Sequence, residues 1–304
     1  MPAPSAPPTA GPGPGLSPGP GPCPGPNLGP GPALGAVRLS GLVHGVFPHR
    51  AEPLAKLDPE LTRDVLAAYG REDEFESFLQ HAGNGFIAMS EELLGRLPSP
   101  LPETDAVLLA YHTPDLHHSD VAGCYLAQRL PGTPTPCSVA EQGPAAAFTA
   151  LRIADGMCRL GDLGHGTLFV FDQFAAVWEA DEAVQSRPDA AVLLLLGTTG
   201  EVVVSDLGEV AAGGPDGPSP AQALDQVADR HPGVRVLVGT ALAAELAGAP
   251  RGYPVETAAP ESWSTGVWAA LAQRWPLREQ VLVAEYQEVG GRLHSCLLTP
   301  EAGP

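Results

Sequence analysis

Beyond an opening stretch without periodicity, the chain alternates between two hydrophobic rhythms. Short apolar runs bounded by Gly, Pro or Asp predict strands, and apolar residues recurring at three and four predict helices. Residues 37–46 read as a first strand, and 58–70 (DPELTRDVLAAYG) as a helix with an Asp cap and a Gly stop. Residues 75–97 are helical with a break at Gly83-Asn84-Gly85. Then come a buried strand at 105–111 (DAVLLAY), a helix at 119–130, a short strand at 136–139 and an Ala-rich helix at 145–159 that is apolar on nearly every side. A strand follows at 167–171. Residues 190–196 and 201–206 read as two strands joined by Gly197-Thr198-Thr199-Gly200, a hairpin signal. The remainder predicts helices at 221–229, 241–246 and 263–274 and strands at 234–238, 280–285 and 292–298. Such alternation predicts a layered α/β fold, with helices covering sheets.

The opening stretch differs in kind. Residues 1–36 hold 13 Pro and 9 Gly and no charge, too little apolar surface to fold on, so a disordered tail is expected there. Two halves follow, 37–178 and 179–304, and the 211–220 stretch (AAGGPDGPSP) is a surface loop.

Charge narrows the partners. The 16 basic and 35 acidic side chains give a formal net charge of −19, and Lys56 is the single lysine. A chain this acidic can hardly assemble the basic surface that phosphate neutralisation needs, which argues against nucleic acid and against anionic membranes. Cys23, Cys124, Cys137, Cys158 and Cys296 form no CxxC pair. They read as reduced thiols of a cytoplasmic protein. No apolar run approaches the roughly 18 residues needed to span a bilayer.

From 105 to 171 the order of elements becomes specific. The run DAVLLAYHTPDLHHSDVAGCYLAQRL, then PCSVAEQGPAAAFTALRIADGM, then GTLFVFDQ, resembles the ketoacyl synthase III proteins of the thiolase-like superfamily. Residues 188–207 (PDAAVLLLLGTTGEVVVSDL) resemble the hairpin that opens that family's second half, and ESWSTGVWAAL through VLVAEYQEVGGRLHSCLL its last helix and closing hairpin. The resemblance implies a thiolase-like layered fold, in which two pseudo-repeated βαβ halves enclose buried helices between sheets. It also implies pairing of subunits across a continuous sheet.

The family uses a Cys as acyl acceptor with His and Asn stabilising the oxygens. The resemblance carries the Cys position onto Gly143 or Pro144, the His position near Thr240 and the Asn position near Glu261. None of the three residue types is kept. Cys137, the nearest thiol, stands several residues ahead of the turn and reads as structural. Gln142 is a candidate for the Gln that turns related synthases into decarboxylases; otherwise Glu141-Gln142-Gly143 is a polar turn with Pro144 leading the helix. His112, His117 and His118 cluster in one loop, with no second ligand run at a metal-site spacing, and are expected to serve structure or an interface. The Gly-rich 161–166 stretch precedes a strand, the wrong order for a phosphate loop.

Two functions follow as expectations. The first is a ketosynthase-III-like protein of specialised metabolism that has lost Cys-dependent condensation, acting as an acyl-binding scaffold or as the partner of an active ketosynthase in a homodimer or heterodimer. The second is an acyltransferase or decarboxylase acting on acyl or malonyl thioesters without a covalent acyl-enzyme, with Glu141, Gln142, Thr240 or Glu261 positioning the substrate. Acyl carrier protein or acyl-CoA is the expected partner, and neither cofactor nor metal is expected. A preserved cleft with convergent polar groups distinguishes the second reading from the first.

Overall fold

Ten strands form one mixed sheet in the order β3-β2-β4-β5-β1-β6-β10-β9-β7-β8. The computed structural model describes residues 35–48, 58–68, 70–78, 83–117, 121–174, 187–215, 217–247, 250–259 and 262–301. The 1–36 tail reading, His118 and Glu261 therefore fall wholly or almost wholly outside the described residues. The strands are β1 (Arg38–Phe47), β2 (Thr104–Tyr111), β3 (Gly132–Ala140), β4 (His165–Asp172), β5 (Asp189–Gly197), β6 (Val202–Ala211), β7 (Arg235–Val238), β8 (Val255–Thr257), β9 (Val281–Gln287) and β10 (Arg292–Pro300). The helices used below are α1 (Pro59–Ala68), α2 (Phe75–Phe78), α3 (Phe86–Gly95), α4 (Ala122–Arg129), α5 (Ala145–Leu160), α6 (Pro220–Ala228), α7 (Thr240–Leu246) and α8 (Gly266–Ala272).

Read outward from the centre, the two sides of the sheet repeat. In β1-β5-β4-β2-β3 and in β6-β10-β9-β7-β8 the pairings run antiparallel, antiparallel, parallel, parallel. Central strands such as β2 and β5 are apolar on both faces, as burial on both sides requires. Ala106, Leu108 and Ala110 of β2 pack with α5 and α8 in the main core, while Val107 and Leu109 pack with α3 and α4. On the other side Val283 faces α5 and α8, and Leu282 and Ala284 face α6 and α7. Helix pairs thus cover each half outside, and α5 and α8 lie between the halves. This is the layered α/β arrangement expected, except that the buried helices lie between the two halves of one continuous sheet rather than between separate sheets.

Several sequence readings are corrected. Residues 197–200 do not close a hairpin, because β1 lies between β5 and β6 and pairs with both. The Gly-Thr-Thr-Gly segment instead steps over the start of β1, and Gly200 (φ 152°) presses against the Leu39 carbonyl where no Cβ fits. The likeness of 188–207 to an opening hairpin therefore does not hold: β5 completes the first set of strands and β6 begins the second. Strand β3 is longer than read from sequence, since Pro134 and Pro136 lie on an edge strand where a missing donor is tolerated. β8 was not read at all. α8 begins at Gly266 rather than 263, for a reason found at the site.

Candidate functional site

The C-terminal ends of β2, β3, β4, β7 and β9 bring their loops to one edge of the buried layer. The turn from β3 into α5 is tight. Glu141 (φ 60°) and Gly143 (φ 52°) both take left-handed backbone, which costs a non-glycine residue about 1–2 kcal/mol. Gln142 lies between them and is used for holding: its Oε1 accepts from Thr149 Oγ1 at 2.7 Å and its carbonyl from Gln287 Nε2 at 3.3 Å. A second loop precedes α8. There the buried Asp172 carboxylate, at the end of β4, accepts from the backbone N–H groups of Trp263 (2.9 Å), Ser264 (2.8 Å) and Thr265 (2.9 Å) and from Thr265 Oγ1 (2.6 Å). Those donors are engaged by Asp172, which holds 263–265 out of the helix. Ser264 Oγ donates to the Gly143 carbonyl at 3.2 Å and ties the two loops together.

Where the loops meet there is a cleft of about 610 Å³, within the size range of small-molecule sites. His112, Glu141, Gly143, Pro144, Thr240 and Trp263 line it, with the 285–289 stretch of the β9–β10 hairpin along one wall. The structure thus brings Glu141, Pro144 and Thr240 together, although they are far apart in the chain. It does not bring in Gln142, whose amide oxygen is held by Thr149, nor Cys137, which sits in mid-strand on β3 opposite Leu108. Among the described residues no cysteine lines the cleft. Cys158 and Cys296 are buried in the core, and burial pushes the Cys158 thiol up to about 11 and that of Cys296 higher still.

Two lining residues were not singled out from the sequence as site residues. His112, read there as structural, stands at the rim with its ring edge-on to Trp263, centroids 5.5 Å apart. Glu285 is 3 % exposed. Burial, and after it the Asp172 carboxylate, push the Glu285 carboxyl well above the ordinary carboxylate range. A signal for it existed: it is the only acidic residue in the otherwise apolar VLVAEY run.

Solved structures share this architecture. The chain superposes on OleA from Xanthomonas campestris with TM-score 0.58 and 11% identity, over 88% of this chain and 99% of that one. A 3-oxoacyl-(acyl carrier protein) synthase III from Pseudomonas aeruginosa PAO1 gives TM-score 0.53 and 16% identity, over 88% and 100%. AbyA1, a tetronic acid condensing enzyme, gives 0.55 and 14%, over 87% and 100%. The fold is thiolase-like. No protein-family model matches the chain, and a search of curated proteins finds no match. In this thiolase-like frame the cleft lies at the N-terminal ends of the two buried helices, α5 and α8. The positions that the resemblance pairs with the catalytic Cys and His, Gly143 or Pro144 and Thr240, both line it. Among the described residues no helix is long and apolar enough to cross a membrane.

Proposed function

We propose that this thiolase-like chain binds acyl thioesters in the cleft and does so without forming an acyl-enzyme. It serves as a ketosynthase-III-like protein of specialised metabolism that has lost Cys-dependent condensation. The observation that carries this reading is the cleft itself. It is open and about 610 Å³ in volume, yet where an acyl acceptor would be needed it presents Gly143 and Pro144. Neither side chain can attack a thioester.

Convergence of His112, Glu141 and Glu285 on the cleft favours, as a second reading, acyl transfer to an acceptor supplied by a co-substrate over a purely passive scaffold. Pairing with a second copy or with an active ketosynthase is part of the proposal, on the resemblance.

Intact-protein mass after incubation with acyl and malonyl thioesters, together with thioester consumption in the same samples, tests both readings. No adduct is expected. Thioester loss without an adduct selects non-covalent transfer, and neither adduct nor loss selects the scaffold. A stable acyl adduct overturns the proposal and returns attention to Cys137.

A further inference from the structure

Glu285 is at odds with its surroundings. It ends the apolar run of β9, is 3 % exposed, and has no hydrogen-bond partner among the described residues, while it is one of the residues lining the cleft. A carboxyl so nearly buried and without a protein partner is unusual, so a ligand in the cleft is the natural recipient of its hydrogen bond. Space is kept for it. Gly239 has ordinary extended backbone (φ −75°, ψ 171°), so no conformational demand calls for glycine there. A Cβ at residue 239 would instead fall inside the Glu285 carboxyl.

The groups around Glu285 decide its protonation. They are Asp172 from β4, His112 from the loop after β2, Glu141 from the turn into α5, His294 at the paired position on β10, and Tyr286 and Glu288 on its own hairpin. Among the described residues no Lys or Arg lines the cleft. Asp172 is occupied by four donors, and burial holds His294 below its usual range, toward the neutral ring. A carboxylate here would therefore face carboxylates with no fixed cation, which favours the acid form.

Resting on the thioester reading above, we propose that Glu285 donates its carboxyl O–H to the carbonyl oxygen of an uncharged acyl thioester bound in the cleft. No covalent step is involved: the hydrogen bond orients and polarises the carbonyl. The same ring of carboxyl groups disfavours a ligand that carries its own carboxylate, so simple acyl thioesters are taken over malonyl ones.

The test uses the full chain with S-butanoyl and S-malonyl N-acetylcysteamine, which lack the phosphates of coenzyme A, the butanoyl carbonyl being labelled with carbon-13. The wild type is expected to bind the butanoyl thioester at least about tenfold more tightly than the malonyl one, and to lower its carbonyl stretching frequency in the infrared difference spectrum. Glu285→Leu should weaken butanoyl binding about tenfold, the worth of one such hydrogen bond, and remove the frequency shift. Glu285→Gln, whose amide still donates, should retain part of both. Both variants should melt no lower than wild type. Unchanged binding and an unchanged carbonyl frequency in Glu285→Leu overturn this assignment and leave the thioester reading standing. Tighter binding of the malonyl thioester overturns the charge argument. Failure of the wild type to bind either thioester overturns both proposals. Lower melting temperatures in both variants, with binding lost in step, make Glu285 a structural residue and overturn the assignment too.

Discussion

Glycine at position 239 and glutamate at 285 are a coupled pair: the one is small because the other fills its space. Gly239→Ala should therefore force the Glu285 carboxyl into another rotamer, at a cost of about 1 kcal/mol. Adding Glu285→Ala should recover most of that loss, a coupling that a double-mutant cycle in urea measures directly. The titration of Glu285 gives a second prediction. Its folded-state pKa is raised above the ordinary value of 4.5, so the folded protein prefers the acid form. The stability this confers is complete below about pH 4.5 and is lost as pH rises through the folded value, at about 1.4 kcal/mol per unit. Relative to Glu285→Gln, the wild type should lose stability steadily above pH 4.5; parallel stability curves would contradict the assignment of the shift to this residue. Glu141, Pro144 and Thr240 were legible in the sequence as residues of one cleft, because the order of elements carries positions even when side chains change. Glu285 was not, because an acid at a strand's end reads as an edge facing solvent until the fold covers it.

At the scale of elements, local grammar was read well wherever a short-range cause decides. Asp58 caps α1 as expected, its Oδ1 accepting from the N–H groups of Glu60 at 2.9 Å and Leu61 at 3.3 Å, and the chain breaks at Gly83-Asn84-Gly85 before α3. Readings failed where a distant partner decides. Gly197-Thr198-Thr199-Gly200 has hairpin chemistry, yet β1, laid down far earlier in the chain, occupies the place between its two strands. Likewise the first turn expected for the helix at 263 is missing because Asp172 takes its donors. That dependence is testable. Asp172→Ala strips the acceptor from two buried backbone N–H groups, a part-buried third and one hydroxyl, and should cost about 3 kcal/mol or more. It should also free the loop that carries Trp263, so limited proteolysis near 263–265 is expected to speed up well beyond that of a control with equal loss of stability elsewhere.

For the whole molecule, the question is how so acidic a chain meets its ligand. Among the described residues nine arginines are spent on ion pairs with carboxylates, including Arg129 with Glu91 (2.9 Å), Arg159 with Asp155 (2.7 Å) and Arg235 with Glu279 (2.5 Å). These pairs are spread over both halves of the sheet, so the arginines do not gather at the cleft, whose rim instead carries Glu141 and Glu288. With a net charge of −19, long-range forces repel an acidic carrier protein, and the repulsion is screened over a Debye length of about 10 Å at 0.1 M salt. Binding of an acyl carrier protein to this chain alone is therefore expected to strengthen, chiefly through a faster on-rate, when salt is raised about tenfold from 20 mM. Binding of a phosphate-free thioester should hardly change, because its contacts lie inside the cleft. If carrier binding to this chain alone instead weakens with salt, as it does for oppositely charged pairs, the chain itself presents a local basic patch to the carrier and the repulsion argued from net charge does not govern docking.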